Sequence, residues 1–292
     1  MNCHFVLTRF NLNLWKADKK GSVTQTEEWL EMRCRLFEKY TLPSICAQTE
    51  KSFLWIVLFS TETPESFKER IKGWVKVCPQ MKPIWVKPEI SWRFTYVYRE
   101  VIRKILVNKD TGNEYRVTTT YLDSDDALHR EYMARVKEAS EMVVHNTMLS
   151  FTPGLQYYSE PKIAMGIDYR NNHFLTYVED VKTGDAPITV HGFGGHHHIL
   201  HERRVNLHVI DTGKSMMWAE IVHGINVDND VIMTLKQWPV IDRSLLRRDY
   251  GIGEDMAQWP RMRFLFHWIP RAIYQFCRRL KHKLFGHDWH ET

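Results

Sequence analysis

The chain has 292 residues and 34.9 kDa, with 43% hydrophobic and 26% charged residues, enough to bury one substantial core. The net charge of +5 is local: residues 261–292 hold seven basic and two acidic side chains, while residues 1–260 are balanced at thirty-three of each. The balance excludes a phosphate-tracking nucleic-acid surface on the main body, and the longest apolar run, Phe53 to Phe59, is far short of the roughly 18 residues of a spanning helix.

Phe5-Val-Leu-Thr8 reads as a buried strand, Glu27 to Tyr40 as a helix, Phe53 to Phe59 as a second strand, and Pro64 to Val77 as a second helix. A strand at Pro83 to Lys87, a helix at Tyr96 to Val107 and a strand at Tyr115 to Leu122 continue the alternation. Alternation of this kind predicts a mainly parallel sheet covered by helices, with ligands at the carboxyl ends of the strands. Beyond Leu122 the pattern changes to a helix from Asp126 to Ala139 and short strands at Met142–Phe151, Gln156–Ser159, Lys162–Asp168, Phe174–Val178 and Ile188–His191, which read as antiparallel additions. Residues 236–292, interrupted at Pro239, Pro260 and Pro270, read as a tail after a domain spanning 1–235. Five cysteines without a C-x-x-C pair fit neither a disulfide framework nor a zinc site, and the N-terminus lacks a signal-peptide pattern, so a cytoplasmic protein is expected.

The most informative segment is Val117-Thr-Thr-Thr-Tyr-Leu-Asp-Ser-Asp-Asp-Ala-Leu-His129, in which a β-branched run ends in three carboxylates, Asp123, Asp125 and Asp126. Crowded like charges repel unless a cation or hydrogen-bond donors occupy the place. Hard oxygen ligands suit Mg²⁺ or Mn²⁺ and leave coordination positions for a diphosphate. Capping of a following helix by Asp123 or Ser124 is the competing explanation.

Asp-x-Asp-Asp after a hydrophobic strand, preceded by two strand–helix units, resembles the GT-A nucleotide-sugar glycosyltransferases, especially the inverting family that includes cellulose and hyaluronan synthases. Leu42-Pro-Ser-Ile-Cys-Ala-Gln-Thr49 before the second strand shares the resemblance. Phe5-Val-Leu-Thr-Arg-Phe10, Thr119 to His129 and Trp218-Ala-Glu-Ile-Val-His-Gly-Ile-Asn226 are similar to the bacterial rhamnosyltransferase branch. The resemblance implies a GT-A α/β domain with a mixed central sheet and a C-terminal helical tail. It implies metal ligation by Asp123 and Asp125, support from Asp126, and a late ligand in His223. Asp123 and Asp126 would contact the donor, and Arg9, at the carboxyl end of the first strand, reads either as a nucleotide contact or as the partner of a surface carboxylate. The family's aspartate after the second strand is replaced here by Phe59-Ser-Thr-Glu62, and its catalytic base has no match in register. Asp211 is the nearest carboxylate to the Trp218 segment, Glu179 and Asp180 form another acidic pair, and Glu220 lies within the segment itself; the choice stays open.

His191-Gly-Phe-Gly-Gly-His-His-His198, with His201, reads as a transition-metal site, as a glycine-rich loop closing over substrate, with His197 among the histidines that would touch a hydroxyl or phosphate, or as a solvated loop. Among eleven tryptophans, Trp92, Trp218 and Trp238 are the candidates for stacking on a sugar. Residues 261–285 place cations around an apolar stripe of Ile273, Cys277, Leu280 and Leu284, which suits either an anionic membrane surface at the inner face or packing on the domain's own core. The expected partners are a nucleotide diphosphate sugar donor and a glycan or lipid-linked saccharide acceptor, with no nucleic acid. The rival readings are nucleotidyl transfer to a sugar phosphate, weakened by the lack of a Gly-rich phosphate loop, and a membrane-associated protein that keeps the fold without the chemistry.

Overall fold

The computed structural model describes residues 2–14, 23–109, 114–170, 172–194, 205–223, 237–258 and parts of 262–280. Strand β1 (Asn2–Arg9) leads to helix α1 (Glu27–Leu36), which begins where the Thr26 side chain accepts the Trp29 N–H at 3.2 Å, with Glu27 and Glu28 in its first turn and Arg33 and Arg35 in its last. A π-helical turn, Phe37–Thr41, carries the chain into α2 (Leu42–Cys46). Strand β2 (Phe53–Ser60), α3 (Glu65–Val77) and β3 (Met81–Val86) follow, then a 3-10 turn and α4 (Phe94–Lys109), and β4 (Glu114–Tyr121).

Strands β1 to β4 are parallel in the order β3-β2-β1-β4, as the alternation predicted. β2 is almost continuously apolar because it is central, with Trp55, Val57 and Phe59 packed beneath α1 and α3, and Ile56 and Leu58 beneath α4. The sheet then becomes mixed. β9 (Leu175–Lys182) is antiparallel to both β4 and β6 (Thr147–Thr152), and β10 (Asn206–Asp211) runs parallel to β6 at the edge. This is the α/β, GT-A-type architecture that the sequence resemblance implied.

A second sheet has the order β12-β8-β7-β11-β5, comprising β5 (Ala127–Leu128), β7 (Gly154–Tyr158), β8 (Ile163–Ile167), β11 (Trp218–Val222) and β12 (Gln237–Val240). Three sequence expectations are corrected. The helix expected from Asp126 starts at Tyr132, as α5 (Tyr132–Met142), because Ala127 and Leu128 pair with β11. The strand expected at 188–191 is instead a 3-10 turn over Val190–Phe193. The head of the expected tail is built into the body: β12 joins β8, and α6 (Leu245–Tyr250) buries Leu245, Leu246 and Tyr250 with Leu155 and Tyr157. Further on, Ala272 and Ile269 pack on Tyr158, Ile163 and Met165, while Phe266, Ile273, Tyr274, Phe276 and Leu280 are exposed. Among the described residues no helix is long and apolar enough to cross a membrane.

His4 on β1 bonds the Thr120 hydroxyl at 2.8 Å, and burial pushes its pKa down to about 3, partly opposed by Glu50. The unfolded chain takes up this proton at its ordinary value near 6.5 and the folded chain does not. Stability is therefore full above pH 6.5 and falls as the pH drops toward 3. Between pH 6.5 and 5 the protein is expected to lose about 1–2 kcal/mol more than a His4→Gln variant, measured by urea unfolding.

Candidate functional site

The carboxyl ends of β1 and β4 lie side by side, because Leu7 pairs with Tyr121 and Leu122 N–H donates to the Leu7 carbonyl at 3.2 Å. This places Arg9 next to the acidic segment. Tyr121 Oη donates to the Asp123 carboxylate at 2.7 Å and accepts from Arg9 Nη2 at 3.0 Å, and Arg9 itself lies 3.8 Å from Asp123. The Arg9 guanidinium also covers the Phe94 ring at 4.8 Å, so α4 helps to fix its position.

The three aspartates have different surroundings. Asp123 is the accessible one, about one third exposed. Asp125 accepts from Arg33 Nη1 of α1 at 2.9 Å and lies 3.0 Å from His223 Nε2, while Arg33 Nη2 reaches Ser124 Oγ. Burial opposes its ionisation, but Arg33 and His223 outweigh that and hold its carboxyl well below the usual carboxylate range. Asp126 is buried, accepts the Ile221 N–H of β11 at 2.9 Å and lies 3.0 Å from His173 Nε2. Burial raises the Asp126 carboxyl, and its carboxylate raises His173 against the effect of burial, so the pair retains a proton through neutral pH.

Asp123, Asp126 and His173 offer ligand atoms that all lie within 4.8 Å of one another. The expected ligand set of Asp123, Asp125 and His223 is not the one that converges: Asp125 is bonded both to His223 and to Arg33. Two carboxylate oxygens and an imidazole nitrogen fit a divalent cation such as Mn²⁺ or Mg²⁺, the nitrogen favouring the softer Mn²⁺.

His173 has no motif around it, and sequence reasoning missed it. It precedes β9, whose antiparallel register pairs Thr120 with Thr176; continuing that register sets residue 173 opposite 123. Its backbone is anchored by Asn172, whose side chain donates to Ser150, Phe151 and Tyr169 and accepts the Phe174 N–H. Arg33 was also missed, since a single arginine in a surface-patterned helix gives no signal.

The other expected site residues fall elsewhere. Glu179 is opposite Val117, six residues before Asp123 and so roughly 20 Å away along the strand, and its carboxylate takes the Ile188 and Thr189 N–H groups at 2.8 and 2.9 Å. Asp180 forms a two-bonded pair with Arg116 at 2.8 and 2.9 Å, near the same distant end. Asp211 lies at the correct edge of the sheet, but β6 and β9 separate β10 from β4, roughly 14 Å at ordinary strand spacing, and its carboxylate accepts the Gly213 N–H. Trp218 is 2% exposed and offers no ring face to a sugar, whereas Trp92 is 67% and Trp238 40% exposed. His191 is enclosed by Phe94, Tyr98 and Tyr121. His196, His197, His198 and His201 lie outside the described residues.

The mixed α/β sheet, with an acidic cluster at the carboxyl end of its fourth strand beside Arg9 at the end of the first, is the arrangement that the resemblance to GT-A glycosyltransferases implied. Residues 4–235 match the family described as putative rhamnosyl transferase, and the chain belongs to that family. No curated protein matches it. Among solved structures it is similar to S. aureus TarS residues 1–349, with 9% identity and a TM-score of 0.39 over 76% of this chain and 60% of that one. It is also similar to mouse xyloside xylosyltransferase 1 in its apo form, with 11% identity and a TM-score of 0.27 over 51% of this chain and 52% of that one. The chain thus spans about three fifths of the TarS fragment.

Proposed function

We propose that the protein transfers rhamnose from a nucleoside diphosphate donor to a hydroxyl of a surface glycan or lipid-linked saccharide, with inversion at the sugar carbon. The observation that carries this reading is the convergence of Asp123, Asp126 and His173 beside Arg9 at the strand ends. These three residues would hold Mn²⁺ or Mg²⁺. Such a cation, when bound, neutralises the diphosphate as it leaves. Arg9 brings a second positive charge to the same place, and Tyr121 fixes the Asp123 carboxylate by donating to it. Asp125 acts differently: by clamping Arg33 and His223 it joins α1 and the end of β11 to the acidic segment.

Calorimetric titration of nucleoside diphosphates and their rhamnose conjugates, with and without Mn²⁺, tests the reading. Binding that requires the metal, strongest for one base, is the expected result. The absence of binding to every nucleotide, with or without metal, overturns it.

The tail supports docking on an anionic lipid surface. Residues 261–285 contain seven Lys and Arg and no acidic residue, and Phe266 and Tyr274 are 70% and 68% exposed. The protein is expected to sediment with vesicles containing phosphatidylglycerol and not with pure phosphatidylcholine. A Phe266→Ser/Phe276→Ser variant should lose most of this binding; equal sedimentation of both proteins would refute the docking surface.

A further inference from the structure

We infer that Glu220 is the general base that deprotonates the acceptor hydroxyl; this rests on the glycosyltransferase reading above. A base needs a carboxylate near the diphosphate site with an oxygen left free for the acceptor. Glu179 and Asp180 are committed to backbone N–H groups and to Arg116 at the far end of β9, and Asp211 is three strands from β4. Glu220 satisfies both conditions.

Glu220 is on β11, immediately before Ile221, whose N–H is held by Asp126 at 2.9 Å. It is therefore one residue from direct contact with the acidic cluster. One oxygen, Oε2, accepts from Gln156 Nε2 at 2.7 Å, and Gln156 Oε1 in turn accepts from Gln237. Gln156 is itself buried and paired across from Glu220 in the parallel register of β7 and β11. The carboxylate is thus oriented through one oxygen, and no cation pairs with it among the described residues. The other oxygen is left to accept a proton. In the reaction, Glu220 takes the proton of the acceptor O–H as that oxygen bonds to the anomeric carbon. The bond from this carbon to the donor's diphosphate oxygen breaks at the same time, and its electron pair leaves on the nucleoside diphosphate.

Glu220→Gln keeps the size of the side chain and an oxygen for Gln156 while removing the proton acceptor. Hydrolysis of nucleotide-activated rhamnose, with water in place of the acceptor, is expected to fall in kcat by at least ~100-fold. Nucleoside diphosphate affinity in Mn²⁺ and the thermal midpoint should stay at wild-type values. Turnover of the variant within threefold of wild type overturns the assignment while leaving the transferase reading intact. Failure of the wild type to bind or hydrolyse any nucleotide sugar overturns the reading itself, and the assignment with it. Glu220→Asp, which keeps the charge but shortens the reach, should recover part of the lost rate; an Asp variant no better than Gln would overturn the assignment of Glu220 as the base.

Discussion

Asp123→Asn is expected to abolish metal-dependent nucleotide binding while leaving stability within about 1 kcal/mol of wild type, and Asp125→Ala is expected to do the reverse, costing about 3–5 kcal/mol of folding stability. The asymmetry follows from their surroundings. Asp123 is partly exposed, touches Tyr121 and Arg9, and offers its oxygens to the space shared with Asp126 and His173. Asp125 is the part-buried partner of the Arg33 guanidinium and of His223, so its loss leaves a cation without its carboxylate in a part-buried place. Urea unfolding and calorimetry on the two variants check the prediction together. If Asp125→Ala retains wild-type stability and alone loses nucleotide binding, Asp125 rather than Asp126 is the second ligand, as the sequence resemblance implied.

Trp218→Ala should cost about 3–5 kcal/mol, the range for a large aromatic removed from a core. The indole stacks on Phe174 at 4.8 Å between ring centres, its Nε1 donates to the Phe151 carbonyl at 2.9 Å, and its ring lies directly on Gly154, where a Cβ has no room. Gly154→Ala should therefore reproduce part of the loss, about 1–3 kcal/mol, by driving the ring out of place. Phe174 follows His173, so both changes should also weaken metal-dependent nucleotide binding through the position of that histidine. Measuring the unfolding midpoint and the nucleotide affinity of each variant separates this account from sugar stacking by Trp218, which predicts lost sugar affinity in a protein of unchanged stability.

The readings that succeeded from sequence used local signals. Apolar β-branched runs and helical periodicity between residues 5 and 122 located the parallel strands, and three carboxylates after Leu122 located the strand-end cluster, because strand burial and charge crowding are both written in consecutive residues. Two partners of those carboxylates, Arg33 and His173, were not legible, because they come from α1 and the approach to β9, far from residues 123–126 in the chain; His223 entered only through the family resemblance, as a metal ligand rather than as the partner of Asp125.

Glu179 and Asp180 show the reason most clearly. They follow the apolar run of a strand that reads as an antiparallel addition, and only its register on β4 tells which edge they reach. β9 is antiparallel to β4, so its beginning faces Asp123 and its end lies at the opposite edge. Trp218 reads in sequence as an aromatic available to a sugar, and only the meeting of the two sheets buries it. The sequence by itself determined the strand–helix framework and the acidic cluster. Tertiary structure decided which carboxylates are free and which are bound, because pairing register and packing between sheets depend on contacts across many residues that no local pattern records.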